Sequence, residues 1–250
     1  MFENIIITAG FFFIISSIYG SVGLGGGTAY LAVMALSSFS YEYIPSTALF
    51  LNIAVASTVF YRFYREGYFV PELLMPFVSF SIPAAFAGGM IPIPGELFSK
   101  ILALVLLAAG VRMVFFTGKF RKLRDISWKS AWLIGFPVGV TLGLISGVVG
   151  MGGGVLLGSF LILSGLAGSR NTAASTSAFI LLNSISGFIA HSLRGSVNFN
   201  ILIPLTISVF SGGYIGSILG SRKLSPLFLQ RVFGILILFV AVKLGFKYFV

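Results

Sequence analysis

The chain has 250 residues, of which 57% are hydrophobic and 9% charged, with mean hydropathy +1.06 and a formal net charge of +10. A soluble domain carries roughly 25% charged residues, and the apolar surplus here is more than a globule of this length can bury, which excludes a soluble class. The absence of cysteine excludes disulfides, thiol catalysis and thiolate metal sites.

The basic residues gather in short segments between apolar stretches, notably Lys119, Arg121, Lys122, Arg124 and Lys129. That is the cytoplasmic-loop bias of membrane proteins, reinforced by anionic lipid, so nucleic acid is not an expected partner. Met1-Phe2-Glu3-Asn4 lacks the positive n-region of a signal peptide. The apolar run behind it is therefore expected to stay in the mature protein.

The first apolar stretch runs from about Asn4 to Ser38 and is interrupted by Gly23-Leu24-Gly25-Gly26-Gly27. As one helix it would be roughly 50 Å long, too long for a single crossing. It reads as a nearly full helix, a glycine turn and a short helix from Thr28. Helices are expected next at about Ile44–Phe63, Pro71–Ile91 and Glu96–Phe116, joined by short loops. Gly118–Lys129 is the longest polar connection and divides the chain.

The second half replays this order. A helix from about Ala131 reaches Gly150-Met151-Gly152-Gly153-Gly154, a short helix runs from Val155 to about Leu166, and helices follow at about Thr172–Leu193, Phe199–Leu219 and Pro226–Phe246. The two glycine tracts lie 127 positions apart, as do Gly20 and Gly147. Ser46 with Ser177, Asn52 with Asn183, and Val111-Arg112 with Val242-Lys243 lie 131 apart. The fold class expected is an all-α, polytopic membrane protein, a single transmembrane domain over 1–250. It would be built from internal repeats 4–117 and 130–248 joined by a basic cytoplasmic linker, 118–129. Each repeat would hold a Gly-broken first helix pair plus three helices. A hairpin suits the first 35 residues better than one span, so an inverted 5+5 arrangement is favoured over a parallel 4+4 one. The charge rule does not decide between them.

Paired interrupted helices at corresponding positions are the best sequence pointer to a transporter binding site. A helix that starts after a glycine tract presents first-turn N–H groups with no intrahelical partner, at the positive end of its dipole. Glycine amides extend this into a donor nest. Gly25, Gly26, Gly27 and Thr28 with Gly152, Gly153, Gly154 and Val155 are therefore the expected contacts for a small anion. Ser46, Thr47 and Asn52, and on the counterpart helix Thr176, Ser177 and Asn183, could complete its shell or equally bond helix to helix.

Other features read as structural. Gly139, Gly143 and Gly147, and Gly212, Gly216 and Gly220, recur every fourth residue, as close-packed membrane helices require. Arg112 and Lys243 sit near helix ends and suit snorkelling. His191, the single histidine, stands beside Arg194 as a candidate for proton relay. No Asp or Glu falls inside a span, which argues against acid–base catalysis, so no enzyme, catalytic residue, metal site or cofactor is expected.

With its two Gly-x-Gly-Gly-Gly tracts, Gly23–Gly27 and Gly150–Gly154, each ending the first helix of a half, the chain resembles the TauE/SafE sulfite exporter family over nearly its whole length. That family commonly has a proline a few residues after each tract, where this chain has Tyr30-Leu31 and Leu156-Leu157. The resemblance implies a secondary transporter of the cell inner membrane, moving a small sulfur-containing anion such as sulfite or an organosulfonate by alternating access. The alternatives are another solute, or a cation held by backbone carbonyls at the same breaks, or a non-transporting membrane scaffold. Membrane lipid is the other expected partner, and a homo-oligomer is left open.

Overall fold

The computed structural model describes residues 2–22, 26–37, 39–115, 127–219 and 226–249, and these contain ten helices. The first half supplies α1 (Phe2–Val22), α2 (Gly27–Leu36), α3 (Ile44–Arg65), α4 (Pro71–Met90) and α5 (Gly95–Phe115). The second supplies α6 (Trp128–Val149), α7 (Gly154–Leu163), α8 (Ser169–Leu193), α9 (Phe199–Leu219) and α10 (Pro226–Phe249). Gly23, Leu24 and Gly25 of the first tract lie outside the described residues, as does the linker from 118 to 126.

Boundaries move from the expected ones where local capping decides them. α6 begins at Trp128 rather than near Ala131 because Ser127 is an N-cap whose hydroxyl accepts from Ser130 N at 3.3 Å. α7 stops at Leu163 rather than Leu166. Gly165 takes a left-handed φ of 72°, and Leu166 N turns back to Leu161 O at 2.9 Å. α3 and α8 end with Gly67 and Gly195 in the same conformation, at φ 76° and 73°.

The five most extensive helix–helix contacts all join one half of the chain to the other: α4 with α6, α1 with α9, α5 with α10, α3 with α8, and α4 with α8. The halves are interleaved, not laid side by side. Glycines make the first two contacts possible. A methyl group on Gly135, Gly139, Gly143 or Gly147 of α6 would run into the carbonyl of Pro76, Phe77, Ser81 or Ala85 on α4. On α9, Gly212 and Gly216 meet the carbonyls of Phe13 and Ser17 of α1, and Gly20 of α1 meets Gly213 O. Backbones touch directly here, which lipid-embedded helices achieve only with the smallest residues.

The outward faces are apolar. Leu133, Ile203, Phe210, Phe239 and Phe246 are each at least half exposed, and five of the described helices are long and apolar enough to cross a membrane. Such side chains stay in contact with solvent only if the solvent is lipid. The molecule is a multi-pass membrane protein.

Gly147→Ala and Gly216→Ala should each destabilise the protein by about 1–3 kcal/mol, since a helix pair must separate to admit the methyl group. Gly10→Ala in α1, with nothing within 4 Å of the new methyl, should be neutral or stabilising. Thermal unfolding in detergent measures all three; equal effects would refute the packing account.

Candidate functional site

α6 ends because Gly150 adopts φ 85°, and after Met151 the chain is left-handed again at Gly152 and Gly153, with φ 74° and 72°, before α7 starts. L side chains seldom take that conformation, so these glycines are required by the turn itself. The first tract is built differently at its matching position. Gly26, the N-cap of α2, has φ −75° and ψ 8°, whereas Gly153, the N-cap of α7, has φ 72° and ψ −8°. The two caps are near mirror images.

The tracts meet in the protein interior. A methyl group placed on Gly27 would lie 2.6 Å from Asn52 Nδ2 and 2.8 Å from Met151 O. One placed on Gly152 would lie 3.1 Å from Asn52 Nδ2 and 3.2 Å from Ser184 Oγ. The Asn52 amide therefore sits between the first tract and the second, and its Nδ2 donates to Gly150 O at 3.4 Å. Gly27, Thr28, Asn52 and the whole run from Gly150 to Val155 are buried.

Among the described residues, the opening amides of both short helices have no backbone acceptor. The first backbone N–H to find a helical acceptor is Ala29 in α2, through Gly26 O, and Leu157 in α7, through Gly153 O. The amides of Gly27, Thr28, Gly154 and Val155 precede these, as expected of first-turn groups. Two acceptors near the tracts are also unspent. Asn52 Oδ1 and Ser184 Oγ are buried and have no hydrogen-bond partner among the described residues. Large side chains close the remaining space, with the Tyr30 ring against Gly26, Phe179 against Gly153 and Ile180 against Gly154.

Of the polar side chains expected to flank the site, Asn52 is the one lodged between the tracts. Thr176 lies along α7, its carbonyl 3.3 Å from the methyl position of Gly154, while its hydroxyl donates to Thr172 O at 2.8 Å. Ser46 donates to Ser196 O at 2.5 Å, and Ser177 to Ala174 O at 2.9 Å. Asn183 donates to Ser81 Oγ and Phe179 O, both at 2.9 Å. Thr47 Oγ1 is buried without a partner among the described residues. Asn183 thus bonds helix to helix, Thr176 and Ser177 bond within α8, and Ser46 bonds the loop after α8. Gly25 lies outside the described residues. No group of three metal-ligating side chains occurs among the described residues.

Ser184, Met151 O and Tyr30 are neighbours of the tracts that sequence reasoning missed. Ser184 carried a signal, being adjacent to Asn183 on a helix already singled out. The role of Met151 is a backbone one, and no residue type announces it.

The family model described as "Sulfite exporter TauE/SafE" matches residues 8–244. The chain belongs to the TauE/SafE family. It is 31% identical over 243 residues to the protein named "Probable membrane transporter protein y4hK" of Sinorhizobium fredii, covering 93% of this chain and 95% of that one. It is 24% identical over 214 residues to "Probable membrane transporter protein YdhB" of Bacillus subtilis, covering 82% and 86%. A shorter match, 28% over 94 residues, is to "Probable membrane transporter protein MamO" of Paramagnetospirillum magneticum, covering 36% and 15%. No solved structure matches the chain significantly. The protein is thus a membrane transporter rather than an enzyme.

The mirrored caps can be tested by double-mutant cycles. Gly153→Ala should cost roughly 1–2 kcal/mol from backbone conformation alone, a cost that Phe179→Leu cannot relieve. A methyl group at Gly26 meets the Tyr30 ring tip first, so Tyr30→Leu in the same chain should remove most of the incremental cost of Gly26→Ala. Thermal unfolding of the four single and two double variants measures this, and coupling of the same size at both sites would refute the difference.

Proposed function

We propose that this transporter moves a small sulfur-containing anion, of the sulfite or organosulfonate class, bound where the two glycine tracts meet. The observation that carries the reading is the contact of Gly27 and Gly152 with one amide, that of Asn52. It brings the amino ends of α2 and α7 to a common buried locus. Each helix amino end contributes roughly half a positive charge and several unpaired donors. An anion can be held there by backbone N–H groups of Gly26–Thr28 and Gly152–Val155 without a buried Lys or Arg. The family description, which names sulfite, points the same way.

The transport cycle we propose is alternating access between two inverted repeats, α1–α5 and α6–α10. Three features support it. The helices run in the same order of long and short in each half. Contacts exchange between halves: α4 with α6 is answered by α9 with α1, and α4 with α8 by α9 with α3. The tracts themselves differ, with mirrored caps at Gly26 and Gly153. Two like halves in unlike conformations are what a carrier open to one side requires. The side chains over Gly26, Gly153 and Gly154 would then move as the site opens.

One observation favours a second reading. Asn52 Oδ1 has no partner among the described residues, and Met151 O lies beside Gly27, so two oxygens are available to a cation. Calorimetry on purified protein separates the two. Sulfite or methanesulfonate should release or absorb heat with either choline or sodium as counter-ion, whereas sodium chloride should not. Heat from sodium alone would overturn the anion reading. In proteoliposomes, Gly26→Leu and Gly153→Leu should insert yet lose flux of the anion that binds; normal flux in both would remove the tracts from the mechanism.

A further inference from the structure

His191 lies in the last turn of α8 and is 4% exposed. Its Nε2 is 2.9 Å from Gly147 O. A carbonyl only accepts, so Nε2 carries the proton and Nδ1 of the neutral ring is a bare lone pair. Nδ1 has no partner among the described residues. The acceptor is significant too. α6 ends at Val149, and its final turn closes with Gly150 N donating to Ser146 O, so Gly147 O is among the carbonyls that a helix end leaves over. The imidazole completes the carboxyl end of α6 immediately before the left-handed Gly150 turn.

The same face of α8 rests on the second tract. Ile180, Ser184, Gly187 and His191 follow one another at four-, three- and four-residue steps, which makes one stripe. Ile180 packs on Gly152 and Gly154, Ser184 on Gly152, and Gly187 on Gly147 Cα. Ser184 and His191 are two turns apart, about 10 Å along the axis. Charged groups are sparse around the ring. Arg194, three residues on, spends its Nη1 on Gly89 O and Ile91 O of the α4 end at 2.9 and 3.0 Å. Glu72 of α4, Lys129 of α6 and Arg170 of α8 sit in the opposite, first turns of their helices. α3 brings Arg62 and Arg65 in its last turn, and Tyr41, Glu42 and Tyr43 just before its first.

We infer that His191 is the proton-coupling residue of this carrier, protonated at Nδ1 when the anion is bound and neutral when it is released. Water on the side to which the site is open supplies the proton, and water on the other side receives it. The ring does not touch the anion. It acts through the carboxyl end of α6, where a cation is favoured by the helix dipole. A unit positive charge about 10 Å from a bound anion, at an effective dielectric constant near 20, raises affinity about tenfold. The inference rests on the anion reading above and adds the ion that accompanies the anion.

Methanesulfonate is the probe of choice, because its charge is constant over the histidine range whereas sulfite titrates. Calorimetry on the full chain, purified with a histidine-free tag, should show methanesulfonate binding tighten about tenfold as pH falls from 8 through the imidazole midpoint, which the ring resonances locate. His191→Gln keeps an amide donor for Gly147 O and cannot titrate, so its affinity should be flat with pH. The wild-type chain has one imidazole and therefore one set of ring ¹⁵N resonances, so the test does not depend on the variant folding. Saturating methanesulfonate should move the midpoint of that titration up by about one pH unit. Binding that leaves the imidazole midpoint unmoved, or a folded His191→Gln that keeps the wild-type pH dependence, overturns the coupling and leaves the anion site standing. No binding of methanesulfonate on either side of that midpoint overturns the anion reading, and the coupling with it.

Discussion

A helix broken inside hydrocarbon leaves peptide groups that lipid cannot hydrogen-bond, so the break must be enclosed by protein. Most of what is distinctive in this molecule follows from that constraint. Gly26 and Gly27 of the first tract and the whole second tract are interior, and the second is ringed by Pro45, Asn52, Phe179, Ile180 and Ser184 from α3 and α8. Where a carbonyl is left over, a side chain takes it up: Asn52 reaches Gly150 O and His191 reaches Gly147 O. The interleaving of the halves supplies the enclosure. α3 and α8 pack against each other; α3 reaches both breaks through Asn52, and α8 walls the second. Two separate bundles would leave each break facing outward.

Glycine serves two unlike purposes in this chain. On α6 and α9 it is helical and spaced by four, and its use is the absence of a methyl group where another helix's carbonyl presses in. At Gly150, Gly152 and Gly153 its use is the left-handed backbone. The first purpose holds the two halves together, and the second opens a buried helix amino end. In the transport mechanism proposed above, the first gives a rigid frame and the second a set of donors within it.

The halves are alike in plan and unlike in detail. Asn52 bonds the second tract, whereas Asn183, at the corresponding place, bonds Ser81 and its own helix. The caps Gly26 and Gly153 have φ of opposite sign. His191 has no histidine counterpart in the first half, since the chain has one. In the proposed repeats, the departures from likeness fall next to the breaks, where function is expected to reside.

The sequence by itself determined the class, the helices and the family. Apolar runs of membrane length, loops with turn residues and the doubled Gly-x-Gly-Gly-Gly tract are local signals, and α9 begins and ends at Phe199 and Leu219 as read from them. The packing use of Gly139, Gly143, Gly147, Gly212 and Gly216 was legible too, because a four-residue period belongs to one helix face. What only the tertiary structure decided is which helix each stripe meets, and which polar groups reach the breaks. Ser46, Asn52 and Asn183 look equivalent along the chain, yet one lies on the tracts and two bond elsewhere. His191 bonds a carbonyl 44 residues away. Partners so distant in sequence are chosen by how helices cross in space, and no local pattern of residues encodes that choice.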